Sequence, residues 1–354
     1  MNFFKEDSKA VFEAKEYAQH IAFAPIVFQA ARSLRNFGLL KIVEDAGKDG
    51  MLYEDILAKS NLSKYGTRVL LEAGLGTGLL ILDNDKYKLT KTGYCILHDE
   101  MTRANMDFMH DVCYRGMFDL DKSIETGKPE GLKTLGSWNT LYEGLASFPE
   151  HVRKSWLAFD HFYSDNSFSS VFPYVFEKNP TRVLDVGGNT GKWAIKCMEY
   201  SKTIQVGIVD LPGQLKMAAE NIKQKKFDDR ITYHECNLLD KNEKLPKGYD
   251  IIWMSQFLDC FSEDEIVSIL KRCYDALDEN GQVFILEPFW DKQKFEVSAF
   301  CLQMTSLYFT NIANGNSQMY HSDLFCKLIT NAGFSVIDRI DNIGISNSLL
   351  KCKK

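Results

Sequence analysis

The run Val183-Leu184-Asp185-Val186-Gly187-Gly188-Asn189-Thr190-Gly191 ends a strand-like apolar stretch in a glycine-rich turn that opens onto the helical pattern Lys192–Tyr200. Glycine lets a backbone bend sharply and come within contact distance of a ligand, which a Cβ would block, so the turn reads as a ligand platform. An acid, Asp210, closes the next apolar stretch in Gly207-Ile208-Val209-Asp210-Leu211-Pro212. A carboxylate at that place can accept both hydroxyl hydrogens of a ribose, which points to a nucleotide-like cofactor; the competing reading is a carboxylate capping the helix that starts at Leu211-Pro212. A dinucleotide fingerprint starting at Gly187 would need glycine at 189 and 192, where Asn189 and Lys192 stand, so NAD is disfavoured.

The elements that must position these residues follow from the change of hydrophobic period at Arg182. Strand-length apolar runs occur at Arg182–Val186, Gln205–Val209, Ile231–Glu235, Asp250–Met254 and Gln282–Leu286, each separated by a helical pattern. Such alternation predicts a parallel sheet with helices on both faces. Phe334–Ile340 and Asn347–Lys353 have no helix between them and must form an antiparallel hairpin at one sheet edge. The expected fold is therefore α/β, a seven-stranded, doubly wound, Rossmann-like domain ending in an antiparallel hairpin.

The first half of the chain reads as mostly helical. Residues from about Ser8 to Glu44 carry apolar positions at helical spacing around a break expected at Pro25. Helices over Tyr53–Ser60 and Ser63–Leu75, the strand Leu79–Leu82, a polar tip and the return Tyr87–Thr90 predict a winged-helix unit. Its would-be recognition helix offers only Lys64 and Arg68, and residues 1–110 balance acids against bases, so a packing and dimerisation role is favoured over DNA binding. We divide the chain into a winged-helix-like dimerisation domain (1–110), an aromatic helical connector lining an acceptor pocket (111–177) and the cofactor domain (178–354).

With Asp185 two residues ahead of the glycines, the loop resembles the D-x-G-x-G-x-G loop of class I S-adenosylmethionine-dependent methyltransferases, with Asn189 replacing the middle glycine. Residues 181–288 are similar to the dimeric small-molecule O-methyltransferases that include acetylserotonin, polyketide and plant phenolic methyltransferases. Their D-V-G-G-G-T-G loop matches Asp185–Gly191, and F/V-D-L-P matches Val209-Asp210-Leu211-Pro212. S-D-E matches Ser262-Glu263-Asp264-Glu265, a strand ending in glutamate matches Phe284–Pro288, and A-G-F matches Ala332-Gly333-Phe334. The resemblance implies S-adenosyl-L-methionine as cofactor, no metal and a homodimer. It further implies cofactor contacts from Asp185, Gly187, Gly188, Asn189, Gly191, Asp210, Leu211, Asn237, Leu238 and Ser255.

Two departures bear on chemistry. The family's L-H-D-W-S-D-E segment supplies a histidine that removes the acceptor hydroxyl proton, and the matching residues here are Leu258-Asp259-Cys260-Phe261-Ser262-Glu263-Asp264. Asp259 thus stands where the base is expected. An unperturbed aspartate titrates near ~3.9 and histidine near ~6.5, so Asp259 needs burial to serve; its alternative is a solvated carboxylate ahead of the capping box Ser262-x-x-Glu265. The second is Asn237, where the family usually has an aspartate near the adenine, and whose amide oxygen can still accept a hydrogen bond. Glu287, at the carboxyl end of the fifth strand, can orient a catalytic group or accept the proton. His161 on the aromatic stretch is either a substitute base or a packed histidine. Phe300, Met304, Leu307 and Tyr308 share one helical face, read as pocket wall or core.

Composition bounds the rest. The 354 residues are 45% hydrophobic and 25% charged with net charge -6, no 18-residue apolar run and no export signal over Met1 to Glu16. Nine cysteines without a C-x-x-C pair fit reduced thiols and a cytoplasmic location. No field gathers phosphates and no segment spans a membrane, so neither nucleic acid nor membrane is an expected partner. The expectation is an O-methyltransferase acting on a hydroxyl of a small aromatic molecule. The alternatives are cofactor-dependent decarboxylation, hydroxylation or N-/C-methylation, and a cofactor-sensing winged-helix regulator.

Overall fold

The computed structural model describes residues 3–354, which divide into one unit ending at Asp107 and another running from Phe108 to Lys354. Among the described residues no helix is long and apolar enough to cross a membrane.

In the first unit α1 (Val11–Asn36) and α2 (Leu39–Glu44) precede β1 (Met51–Leu52), α3 (Tyr53–Lys59) and α4 (Lys64–Gly76). The antiparallel pair β2 (Leu80–Asp83) and β3 (Lys86–Leu89) follows, with β1 on the other side of β3, then α5 (Lys91–His98) and α6 (Glu100–Phe108). Leu34, Leu40, Ile56, Leu71 and Leu80 build its core. Pro25 does not break α1, contrary to expectation. A proline removes one N–H donor, and the turns around it carry the helix on; the chain bends at Gly38 instead, with φ of 74°. Along α1, Val11, Phe12, Ile21 and Ile26 are exposed.

The second unit begins with helical segments: α7 (Leu120–Thr126), α8 (Leu141–Gly144) and the 26-residue α9 (Glu150–Val175). Alternating with helices then come β4 (Arg182–Val186), α10 (Lys192–Tyr200), β5 (Gln205–Asp210), α11 (Pro212–Gln224) and β6 (Ile231–Glu235). They are followed by β7 (Ile251–Ser255), α12 (Glu263–Ala276), β8 (Gln282–Glu287), α13 (Glu296–Tyr308), α14 (Ser322–Asn331) and the hairpin β9 (Ser335–Ile343) and β10 (Asn347–Lys353). The strand order is β6-β5-β4-β7-β8-β10-β9, parallel except for β10, which runs antiparallel to both β8 and β9. Successive residues on β4 feed opposite cores: Leu184 and Val186 pack toward α12 and α14, and Val183 packs with residues of α9 and α10.

One expected helix is absent. Between β6 and β7 the chain is irregular, because Asn237 and Asp240 accept from the amides of Leu239 and Asn242 in side-chain turns. The Arg272 guanidinium donates to the carbonyls of Leu238, Asp240 and Glu243, satisfying backbone that a helix would have paired internally. The α13 face also differs from expectation: Tyr308 is buried, while Phe300 and Met304 are 46% and 40% exposed. Two helices close in a single π-turn, α6 at Met109–Cys113 and α13 at Phe309–Ala313, and Val112, Phe309 and Ile312 pack into a third core with Trp156 and Tyr308.

Candidate active site

Chain connections leave β4 and β7 in opposite directions across the sheet, which opens a crevice at their carboxyl ends. Gly187 leaves β4 with φ of 78°, and a Cβ on it would lie 2.1 Å from the Phe257 ring, which follows β7. At Gly188 a Cβ would meet Ile208 at 2.7 Å, and Gly191, with φ of 76°, caps the start of α10. Asn189 adopts φ of 47°, a region that asparagine tolerates better than most side chains, so the loop keeps its course without the middle glycine.

The amide of Asn189 donates to Asp210 Oδ2 at 2.8 Å, and Leu211 N donates to Oδ1 at 2.7 Å. Each oxygen keeps lone-pair capacity for a further donor, as a ribose would require. Burial pushes the Asp210 carboxyl up to about 6, against the pull of those two amides. Asp185, beneath Gly188, is held well above the usual carboxylate range by burial and by the nearby Asp210.

One cavity joins these groups. It is lined by Asp185, Gly187, Gly188, Asn189, Asp210, Leu211, Asn237, Leu238 and Ser255, among others; Gly191 shapes the loop from behind. Asp185 Oδ2, Asn189 Oδ1 and Ser255 Oγ are buried without a hydrogen-bond partner. Orphaned acceptors in a cavity whose loop has no room for Cβ atoms fit an adenosyl ligand rich in donors. Asn237 lines the cavity, but its Oδ1 already accepts from Leu239 N at 3.0 Å, so one lone pair remains for an adenine amino group. Among the described residues no group of three or more His, Cys, Asp and Glu side chains could hold a metal ion.

The cavity continues toward Tyr142, Trp156, Cys260 and Phe261. Asp259 and Glu287 lie just behind this wall, 4% and 1% exposed, so Asp259 is not a solvated loop carboxylate. The capping box after it does form, Ser262 N donating to Glu265 Oε2 at 2.8 Å. Glu287 Oε1 accepts from the amides of Phe257 at 3.0 Å and Leu258 at 2.8 Å, while Oε2 is buried and unpartnered. The Cys260 thiol faces Asp259 Oδ1 at 3.4 Å. Burial is the main cause that lifts Asp259 to about 7, with repulsion from Asp160 adding to it. Burial and then the charge of Asp259 hold Glu287 well above its ordinary value. Two buried carboxyls this close retain at least one proton near neutrality.

His161 lines the cavity from α9, its Nε2 3.4 Å from Thr190 Oγ1 and its Nδ1 3.5 Å from Asp165 Oδ1. These contacts tie it to the end of the glycine loop. The sequence reading missed Asp160, whose Oδ2 accepts from Asn189 Nδ2 at 3.0 Å, and the bond from Trp156 Nε1 to the Tyr308 hydroxyl at 2.9 Å. The available signal was spacing: Trp156 and Asp160 are four apart on the helix already read as a pocket wall.

A dimerisation2-like domain model matches residues 15–87, and an O-methyltransferase domain model matches residues 171–335. The chain is 24% identical over 327 residues to an L-tyrosine C(3)-methyltransferase of Streptomyces lavendulae, covering 91% of this chain and 87% of that protein. It is 22% identical to O-methyltransferase 4 of Dictyostelium discoideum, over 85% of this chain and 86% of the relative. Among solved structures, human N-acetylserotonin methyltransferase in complex with S-adenosylmethionine superposes with a TM-score of 0.69 at 18% identity, over 99% of both chains.

Proposed function

We propose, for a chain that belongs to the S-adenosylmethionine-dependent methyltransferases built on this O-methyltransferase domain, that it methylates a hydroxyl group of a small aromatic molecule. The observation that carries this reading is a carboxyl group, Asp259, buried immediately behind the far wall of the cofactor cavity and poised to titrate near neutrality. The bound cofactor supplies an activated methyl on sulfur. The protein's part is to hold the acceptor oxygen in line and to take its proton.

Asp259 is the proton acceptor in this scheme. Glu287 is a positioning residue: by accepting the Phe257 and Leu258 amides it fixes the turn that carries Asp259 and orients the carboxyl. His161 braces Thr190 and Asp165, keeping the loop against α9. Asp185, Gly187, Gly188, Asn189, Gly191 and Ser255 form the cradle for the methionyl end. Asp210 takes the ribose hydroxyls, with Leu211, Asn237 and Leu238 around the adenine. Tyr142 and Trp156 give an aromatic wall against which a flat acceptor stacks.

A second reading rests on the Streptomyces relative, whose name describes methylation of a tyrosine ring carbon and which aligns over 91% of this chain. A deprotonated phenol carries negative charge on its ortho carbon as well as on oxygen, so the same base serves C-methylation if the ring is turned. The discriminating experiment incubates the pure protein with a methyl-labelled donor and a panel of phenols, then assigns the product by carbon NMR. A labelled methoxy group supports the first reading and a labelled aryl methyl the second. Donor turnover that never places label on an acceptor defeats both.

We assign residues 1–110 to a winged-helix dimerisation domain, 111–177 to the connector and 178–354 to the catalytic domain. The exposed Phe12, Ile21 and Ile26 of α1 support a homodimer, since monomers seldom leave such a row in water. Light scattering at micromolar concentration giving a single-chain mass would defeat that assignment.

A further inference from the structure

Asp259 takes the acceptor's proton in the scheme above, yet its side chain lies behind the cavity wall at 4% exposure. A group in the wall has to carry the proton across. Glu287 accepts from the Phe257 and Leu258 amides, Tyr320 donates to the Phe261 carbonyl at 2.6 Å, and Asp160 accepts from Asn189. Cys260 is the side chain that both lines the cavity and meets the Asp259 carboxyl, its Sγ 3.4 Å from Oδ1.

The thiol is held in place. The Tyr142 hydroxyl, also in the cavity wall, hydrogen-bonds its sulfur. Asn314 donates to the Cys260 carbonyl and Tyr320 to that of the next residue, so the turn that bears the thiol is pinned on two sides. With Tyr142 donating to the sulfur, the Cys260 S–H is left to point at Asp259. The sulfur keeps acceptor capacity for an acceptor hydroxyl in the cavity.

We propose that Cys260 is a catalytic residue that relays the proton: its sulfur receives the proton of the acceptor hydroxyl while its own S–H proton passes to Asp259. The inference rests on the methyl-transfer reading above, with Asp259 as the base. The acceptor O–H bond breaks as its oxygen bonds the donor's methyl carbon, whose former bonding pair stays with the donor sulfur. The freed proton joins Cys260 Sγ, and the Cys260 S–H proton joins Asp259 Oδ1. Cys260 ends the step as a thiol and Asp259 as a carboxylic acid. Burial, and then the charge of Asp259, hold the thiol well above its ordinary value, so no free thiolate forms and both protons move in one step.

Infrared spectroscopy tests the bond without any acceptor. In the full-length protein saturated with S-adenosylhomocysteine, the S–H stretching band that Cys260→Ala removes should move to lower frequency as pH rises through about 7, where Asp259 ionises. It should stay fixed in Asp259→Asn. A band that ignores pH, or that moves equally in Asp259→Asn, overturns the relay.

Kinetics tests the transfer. At about pH 8.5, 4-nitrophenol is already ionised in solution and 4-ethylphenol is not, so only the second needs the relay. Cys260→Ala should lower single-turnover methyl transfer to 4-ethylphenol by about 10²-fold or more, and by at least about tenfold more than transfer to 4-nitrophenol. Cys260→Ser keeps a proton-carrying hydroxyl and should recover about tenfold of that loss. Both variants should hold S-adenosylhomocysteine within about twofold of wild type, which also reports an intact fold. A Cys260→Ala loss below about threefold on 4-ethylphenol, an equal loss on both phenols, a serine variant no better than alanine, or lost S-adenosylhomocysteine affinity overturns the proposal. An Asp259→Asn variant as fast as wild type on 4-ethylphenol brings down the base and the relay with it. A wild type that neither methylates a phenol nor binds S-adenosylhomocysteine would instead bring down the underlying reading.

Discussion

Asp259→Asn keeps the shape of the side chain and removes its ability to take a proton. The residue is 4% exposed, so the change exerts little steric demand, and Asn can still accept from the Cys260 thiol. A positioned general base contributes about 10²- to 10⁴-fold, or roughly 3–5 kcal/mol of barrier, and that is the loss expected in kcat with S-adenosylhomocysteine affinity unchanged. The pH profile supplies a sharper test. With Asp259 titrating at about 7, half of the wild type is in the basic form at neutrality. Its kcat/KM for the phenol should therefore fall about fivefold from pH 7 to pH 6 and rise less than twofold from pH 7 to the plateau above pH 8, with a slope of one below the bend. Asp259→Asn should be flat over that range, and Asp259→His should restore part of the rate with a bend nearer ~6.5. The assay is transfer of labelled methyl to the best phenol of a panel, under single-turnover conditions so that product release does not mask chemistry. An Asp259→Asn variant within threefold of wild type, or one that retains the wild-type bend, would refute the assignment of the base.

Further outcomes follow from the same geometry. Glu287→Gln should be tolerated within about 1 kcal/mol in urea denaturation at pH 7, because the group is already held largely neutral, whereas Glu287→Ala strands the Phe257 and Leu258 amides at about 1–3 kcal/mol each. The Gln variant should also leave the pH bend near 7, because a neutral Glu287 places no charge beside Asp259. Gly187→Ala combines a positive φ with a 2.1 Å clash against Phe257, and calorimetry should find S-adenosylhomocysteine binding abolished. Asp210 must be ionised to accept two hydroxyl hydrogens, and in the free protein it titrates at about 6. Binding should thus release a proton below pH 6 and tighten as pH rises through that value; heats that are independent of buffer ionisation enthalpy at pH 5.5 would contradict this.

Much of the cofactor half was legible in the residues. Strand-length apolar runs separated by helical patterns located the strands, and Gly187, Gly191 and Asp210 occupy positions whose φ or contacts admit little else. Asp259 was legible only as a position. Its depth is set by helices and strands far away in sequence, so nothing local distinguishes a surface carboxylate from one that titrates near neutrality. Asp160 was hidden for the same reason: its meaning comes from Asn189, 29 residues away. The loop after β6 misled because its apolar residues Leu238, Leu239 and Leu245 mimic a helical face, while Arg272, on α12, supplies the bonds that keep it irregular.

The π-turn at the end of α13 has a consequence for how such a chamber can change. A π-turn amounts to one surplus residue in a helix, and removing it would swing everything downstream by about 100°. Asn314, just past Phe309–Ala313, donates to the carbonyl of Cys260, so that swing would pull directly on the turn that bears Asp259. The glycine loop, on other strands, would stay as it is. Loss or gain of a single codon there gives evolution a way to reshape what is methylated while the methyl donor's berth stays intact.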